Sequence, residues 1–516
     1  MAVSSIFNDV IGPVMRGPSS SHSAAACRIG LLLRDLMQGE ITDVIIDYDP
    51  NGSLVTTHES QGTDMGLYGG LLGWQADDPR MPEYRTHLEA SGINVKVNYL
   101  SYGAEHPNNY RITISNSHIT HTLSAISTGG GMMEVQEIDG SGVAIHGDCH
   151  ELLIYGDDLE SIMASLPEIT DAVIEQHLSL IEIKRFSEPT DDLLASLGNL
   201  AGVKECCYLK PVLPVLASQE ITVPFVTCAE MENLGDLENL ELWQLALKFE
   251  AARGAITENE VFDKMRHILK IMRRGIAEGL AGTAYDDRIL PVQSLGFEEK
   301  MNSNSLLDGG MLNRIILYTT AMMEVKSSMG VFVAAPTAGS CGTLPGTIIG
   351  AADALVAADD EVVKALLAAG IMGVFIAEHA TFAAEVAGCQ AETGAGGAMA
   401  AAGLVTIMGG SLQQCIAASS LALQNSLGIV CDPIGNRVEA PCLGKNVMAA
   451  SNALSCANMA LANYQHLIPF DEVVQSMVEV GDMMAHELTC TGLGGLAATP
   501  TGKKIEERLK QKAQHC

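Results

Sequence analysis

Basic residues are scarce in this chain of 516: 30 Lys and Arg stand against 62 Asp and Glu, a formal charge of −32. A surface so poor in positive charge argues against nucleic acid or an anionic membrane as a partner, since both are bound through Lys and Arg. The acidity also serves plain solubility. No basic stretch followed by an apolar run opens residues 1–9, so secretion is not expected and a cytoplasmic location is. The longest apolar stretch, residues 366–377, is shorter than a bilayer requires and contains Gly370 and Gly373, so it reads as a buried helix. A phosphate-binding loop is missing as well: Gly339-Ser-Cys-Gly342 lacks the lysine, and Gly502-Lys503-Lys504 lacks the rest. There is no fixed-period repeat, and no low-complexity tract beyond an Ala/Gly bias between Ala368 and Gly410.

Cysteine is plentiful but not arranged for disulfides. Thirteen, an odd number, are scattered over a long chain and fit reduced thiols better than a disulfide framework. Cys27, Cys206, Cys207, Cys415 and Cys456 lie in apolar periodic segments and read as small core residues. Cys341 and Cys490 lie near Gly-rich loops and stay ambiguous. Cys389, Cys431 and Cys442 stand in unusual surroundings, Gly388-Cys389-Gln390, Cys431-Asp432-Pro433 and Pro441-Cys442, and the chain ends on Cys516. A Pro-Cys step restrains the backbone beside a thiolate, and Gly388, Gly394, Gly396 and Gly435 permit close backbone approach to a bulky inorganic core. These four could hold an iron-sulfur cluster, although separations of 42 and 11 residues are unlike a compact CxxC pattern.

The length suggests roughly two to four domains. Residues 1–150 look mixed, with an amphipathic helix over residues 23–38 and strand character at residues 44–48, 95–99 and 110–114, an α+β domain. Residues 151–214 read strand, helix (158–173), strand, helix (191–200), strand. That order resembles a small ACT-type α/β regulatory fold with one strand missing, where only Ser187-Glu-Pro-Thr190 stands. Pro211, Pro214 and Pro224 punctuate a linker, and residues 225–516 turn rich in Ala, Gly, Met and Leu with helical period, a mostly α-helical domain carrying Cys389, Cys431 and Cys442. The expected fold class is therefore multidomain.

Longer motifs surround these residues. Ala335-Pro-Thr-Ala-Gly-Ser-Cys-Gly342, Gly388-Cys-Gln-Ala-Glu-Thr-Gly394 and Cys431-Asp-Pro-Ile-Gly435 through Ala440-Pro-Cys442 closely resemble the alpha region of bacterial iron-sulfur-dependent L-serine dehydratases. Gly17-Pro-Ser-Ser-Ser-His22, Gly62-Thr-Asp64, His106-Pro-Asn108 and Gly129-Gly-Gly131 occur in order and resemble the beta region of the same family. The resemblance implies beta-type and alpha-type regions fused in one chain, and a homodimeric lyase of serine catabolism.

It also implies that Cys389, Cys431 and Cys442 hold three irons of a [4Fe-4S] cluster, leaving the fourth as a Lewis acid for the β-hydroxyl of serine. Loss of that hydroxyl and the α-proton gives aminoacrylate, which becomes an imine and hydrolyses to pyruvate and ammonia. Some members of the family end in a cysteine that caps the fourth iron, which would be Cys516 here. Pyridoxal phosphate is disfavoured, because Lys326 is the only lysine shortly before the Ala335–Gly342 motif.

Ser19, Ser20 and Ser21 before a helix supply hydroxyls and N–H groups for a substrate carboxylate. By resemblance Asp64, Asn108, Thr337 and Ser340 are pocket residues, and His22, His106 and Lys326 are candidates for the catalytic base. One departure stands out: where the family often reads Gly-His-Gly-Thr-Asp, this chain has Ser60-Gln61-Gly62-Thr63-Asp64, and glutamine cannot exchange a proton near neutral pH. The base then lies elsewhere, or the substrate is threonine or another β-hydroxy amino acid. The reading from a different class is a non-catalytic protein whose four thiolates hold structural zinc and whose middle domain senses an amino acid.

Overall fold

The computed structural model describes residues 3–218 and 222–513, with side chains to 511. Cys516 lies outside the described residues, so its expected role as a cap receives no structural account. The described chain divides into two compact units: one combines residues 3–20 with residues 222–513, and the other runs from 21 to 218.

The first residues belong to the helical unit. A π-helical turn, Ile6–Val10, is followed by a two-residue strand, β1 (Val14–Met15). Buried Glu250 fastens the turn, accepting from Ser5 Oγ at 2.5 Å and from the N–H of Ile6 at 2.8 Å. A carboxylate there satisfies a first-turn amide that lacks a helical partner.

In the second unit a six-stranded sheet is ordered β3-β2-β4-β5-β6-β7 and built from β2 (Asp43–Tyr48), β3 (Asn94–Tyr99), β4 (Asn109–Ser115), β5 (Thr120–Gly129), β6 (Met132–Ile138) and β7 (Ser141–Ile145). Only β2 and β3 run parallel; the helices Thr63–Leu71 and Tyr84–Ser91 lie in the chain between them. Along β4 exposure alternates, with Tyr110, Ile112 and Ile114 turned into the core beside the helix Ala25–Leu36. That alternation is the period-two signature that made β2, β3 and β4 readable. The helices Ala25–Leu36 and Thr63–Leu71 pack closely because Gly70 has no side chain: a Cβ there would stand 2.2 Å from the carbonyl oxygen of Cys27.

A second sheet in this unit is wholly antiparallel, ordered β11-β8-β10-β9, from β8 (His150–Gly156), β9 (Ala172–Gln176), β10 (Ile181–Arg185) and β11 (Val203–Leu209). Its helices are Leu159–Ser165 and Asp191–Gly198, giving a β-α-β-β-α-β chain order. The strand expected to be missing is therefore present. It lies within and beyond what reads as the end of a 158–173 helix, because Pro167 forces Leu166 out of the helical region (ψ 139°) and the chain re-emerges as β9.

The other unit is mostly helical, as expected. Among the described residues its one further strand, β12 (Phe332–Val333), pairs with β1. The apolar run at 366–377 belongs to a longer helix, Asp359–His379, long and apolar enough to cross a membrane, yet 78% of its apolar window is buried inside the protein. The helix Ala395–Ile407, nearly all Ala, Gly and Met on every face, packs against it. Here Gly403 brings backbones together: its absent Cβ would meet Ala365 O at 2.9 Å.

Candidate active site

In the helical unit, three turns built from the cysteine-bearing motifs meet. Cys389 precedes a π-helical turn, Gln390–Gly394, that opens the helix Ala395–Ile407; Cys442 is the first residue of the helix Cys442–Leu461. Cys431 sits in a short parallel bridge to Thr489, its N–H donating to Leu488 O at 2.8 Å while Cys490 N–H donates to Cys431 O at 2.9 Å. That exchange brings Cys490 alongside: Cys389, Cys431 and Cys490 share one small buried cluster with Ala384 and Ile429. A ligand atom from each of Cys389, Glu392 and Cys431 lies within 4.8 Å of the others.

Contact with the Cys389 and Cys490 thiols, reinforced by burial, holds the Cys431 thiol well above its ordinary range. Burial, and then Cys389, raise Cys442. Uncompensated, several buried thiols so close together would stay protonated; a soft metal centre is the partner that thiolates of this kind accept. The donor set therefore fits a metal or an iron-sulfur cluster. Two cations flank it. Lys445 Nζ donates to Asp432 Oδ1 and to Val430 O, each at 2.6 Å, and lies 3.9 Å from Cys389 Sγ. Burial alone would lower this ammonium, but Cys389 and Asp432 together raise it. Lys326, 1% exposed at the end of the helix Met311–Ser327, donates to Val438 O, and its charge reaches Cys442 and Glu392.

The loop after β12 supplies Thr337 and Ser340. Ser340 Oγ receives the N–H of Thr337 at 3.2 Å, and Thr337 Oγ1 donates to the Glu392 carboxylate. Ser20 Oγ accepts the N–H of Ala338 at 3.3 Å, so this serine is held in the same loop. Glu392 can come this close because a Cβ at Gly339 would stand 2.4 Å from its carboxylate. Burial raises the Glu392 carboxyl above its ordinary range, against the pull of Thr337 and the two lysines. Asn446 ties loop to helix: its Oδ1 accepts from Thr343 N (3.0 Å) and Thr343 Oγ1 (2.8 Å), while its Nδ2 donates to Gly339 O (2.7 Å) and Cys442 O (2.9 Å). The sequence singles out neither Glu392, although it lies inside the Gly388–Gly394 motif, nor Asn446, whose partners are far apart in the chain.

In the α/β unit the predicted residues fall into two connected groups. His22 Nε2 meets Thr57 Oγ1 at 2.9 Å, Thr57 donates to Ser53 O at 2.7 Å, and Ser53 Oγ donates to Asn108 Oδ1. Asn108 N donates to His106 Nδ1 at 3.1 Å, which makes Nε2 the protonated nitrogen of neutral His106. Asp49 holds the loop ahead of His106 by accepting from the N–H groups of Tyr102, Gly103 and Ala104 at 2.9, 2.9 and 3.2 Å. Burial, with His58 adding to it, pushes the His22 imidazole down to about 3, and burial also lowers His106.

The second group contains a histidine that sequence reading passed over. His58 Nδ1 lies 2.8 Å from Asp64 Oδ1, and its Nε2 lies 2.9 Å from Tyr99 OH. Gln61 beside it is 1% exposed, yet its Nε2 has no hydrogen-bond partner among the described residues, and the same is true of buried Thr63 Oγ1. Buried donors without partners are costly and point to an acceptor supplied from outside the chain. Ser21 is buried in the π-helical turn Ser20–Ala24, and Ser19 just before it is nearly so. His150 and His379 are structural, bonded to Tyr208 OH at 2.7 Å and to Val226 O at 2.9 Å.

Residues 237–497 match a family model described as the serine dehydratase alpha chain. The chain is 37% identical over 253 residues to a probable L-serine dehydratase alpha chain of Bacillus subtilis, covering 49% of this chain and 84% of that one. It is 35% identical over 280 residues to the L-serine dehydratase alpha chain of Peptoniphilus asaccharolyticus, covering 54% and 96%. Similarity to L-serine dehydratase 2 of Escherichia coli, 24% over 495 residues, extends over 93% of this chain and 96% of that one.

Proposed function

Since the chain belongs to the L-serine dehydratase family, with an alpha-chain region preceded by a region that a full-length relative also spans, we propose that it deaminates L-serine to pyruvate and ammonia with a [4Fe-4S] cluster held by Cys389, Cys431 and Cys442. The observation that carries this reading is the convergence of Cys389 and Cys431, from distant segments, with Glu392 in one buried place, with Lys445 beside them and with Cys442 near enough for Cys389 to raise its thiol. When bound, such a cluster supplies Lewis acidity toward the substrate hydroxyl.

The protein's own groups have separable tasks. Lys445 and Lys326 offset the negative charge of the thiolates. Glu392, kept easier to protonate by burial, holds or accepts a proton at the oxygen that Thr337 does not occupy. His22, hard to protonate, orients through Thr57 and does not serve as the base. Neutral His106, with Nδ1 taken by Asn108, presents Nε2–H as a donor. His58, set by Asp64, provides the titratable group that position 61 lacks. The unpartnered donors of Gln61 and Thr63 suit a substrate carboxylate, alongside Ser21.

In the same unit the β-α-β-β-α-β sheet supports the ACT-type reading, with an amino acid as its effector. Replacement of the family histidine by Gln61 keeps threonine as the second substrate to examine. The test is anaerobic purification with iron and sulfide counts, then a keto-acid assay across serine and threonine. A colourless, sulfide-free protein holding zinc and inactive on both would replace the lyase by a structural-zinc protein.

A further inference from the structure

A second group of metal-binding side chains lies wholly within the α/β unit. His121 is on β5, while Glu205 and Cys207 are on β11, and one ligand atom from each lies within 4.8 Å of the others. The strands belong to different sheets, so these residues meet where β5 of the six-stranded sheet comes beside β11 of the four-stranded one. Cys207 is fully buried and His121 is 3% exposed.

The histidine is already oriented as a ligand would be. Its Nδ1 lies 2.7 Å from Asp139 Oδ2, and the other oxygen of Asp139 is pinned by the N–H of Thr122 at 2.7 Å. Tyr155 backs the ring, with centroids 5.2 Å apart. The remaining nitrogen, Nε2, makes no hydrogen bond of ordinary geometry and faces Glu205 Oε2 at 3.5 Å. Cys207 Sγ lies 3.4 Å from the other Glu205 oxygen. Beside the group opens a cavity of about 1180 Å³ lined by His121, Asp139, Tyr155 and Glu205.

We propose that His121, Glu205 and Cys207 form a zinc site, with Asp139 holding the His121 ring and the cavity side left open to solvent. One nitrogen, one carboxylate oxygen and one thiolate suit zinc, and three protein ligands with an open fourth position form an established arrangement for it. Ligand atoms on tetrahedral zinc stand about 3.5 Å apart, so these need to converge by only about 1 Å. The carboxylate behind the histidine fixes which nitrogen faces the metal.

Burial alone would lower His121, but its contacts with Asp139, Cys207 and Glu205 raise it to about 11, and burial raises the Cys207 thiol. Because the ligands sit on both sheets, zinc also ties the sheets together.

The test uses the full chain with its native cofactors, equilibrated with zinc and counted for zinc, iron and sulfide in the same sample. Wild type is expected to hold one more zinc per chain than His121→Gln or Cys207→Ser, with iron and sulfide unchanged. Asp139→Asn, which keeps all three ligands, is expected to bind zinc 10- to 100-fold more weakly in competition with a chromophoric chelator. Equal zinc content and affinity in all four proteins overturns the proposal and leaves a salt link, whose loss would lower the melting temperature without changing zinc. If His121→Gln does not fold, Glu205→Gln is counted in its place.

Discussion

His58 Nδ1 stands 2.8 Å from Asp64 Oδ1, so the motif that lost its histidine at position 61 keeps one three residues earlier, bonded to the motif's own aspartate. If His58 carries the proton, His58→Gln lowers kcat for serine by about 100-fold, the usual scale for a lost acid-base group, while iron content stays that of wild type. Steady-state kinetics with an iron count checks this. Unchanged kcat would return the role to another residue.

Gln61 and Thr63 offer buried donors that nothing in the described chain accepts. Gln61→Ala is expected to raise KM for serine about tenfold, the worth of roughly one hydrogen bond to a charged acceptor, with kcat changed less. Gln61→His should keep measurable serine turnover. An unchanged KM in the alanine variant removes the residue from the carboxylate site.

His22 makes stability depend on pH in a calculable direction. Its folded-state value is lowered from 6.5 to about 3 by burial, so the stability it contributes is present above pH 6.5 and is lost as pH falls toward 3. The loss reaches at most roughly 5 kcal/mol. His22→Gln should flatten that part of the profile, read as urea midpoints from pH 7 to pH 4, and should leave iron content intact.

Asn446 makes four buried hydrogen bonds that join the Thr343 turn to the Cys442 helix. Asn446→Ala strands several of these partners and should destabilise the protein by about 2–4 kcal/mol. Thermal unfolding under anaerobic conditions measures it, and cluster occupancy should fall with it because Cys442 is displaced.

The readable parts of this molecule are those where local pattern and tertiary demand agree. Alternation along β2 and β4 survives because one face of each is buried; the motifs around Cys389 and Cys431 mark segments that the fold brings together. β9 was hidden because its apolar residues continue the helix before it, and only Pro167 marks the break. Cys490 enters the thiol cluster through the bridge between Cys431 and Thr489, a pairing across nearly 60 residues with no local signature. Cys207, read as plain core, meets His121 only through tertiary folding, since the two stand on strands of different sheets.

The most direct measurement is iron and acid-labile sulfide per chain in anaerobically purified wild type and in Cys389→Ala, Cys431→Ala, Cys442→Ala and Cys490→Ser. Wild type and Cys490→Ser are expected to hold about four of each, the content of one [4Fe-4S] cluster, and the three alanine variants close to none. A full complement in any alanine variant, or a wild type that carries zinc and no sulfide, would contradict the cluster assignment.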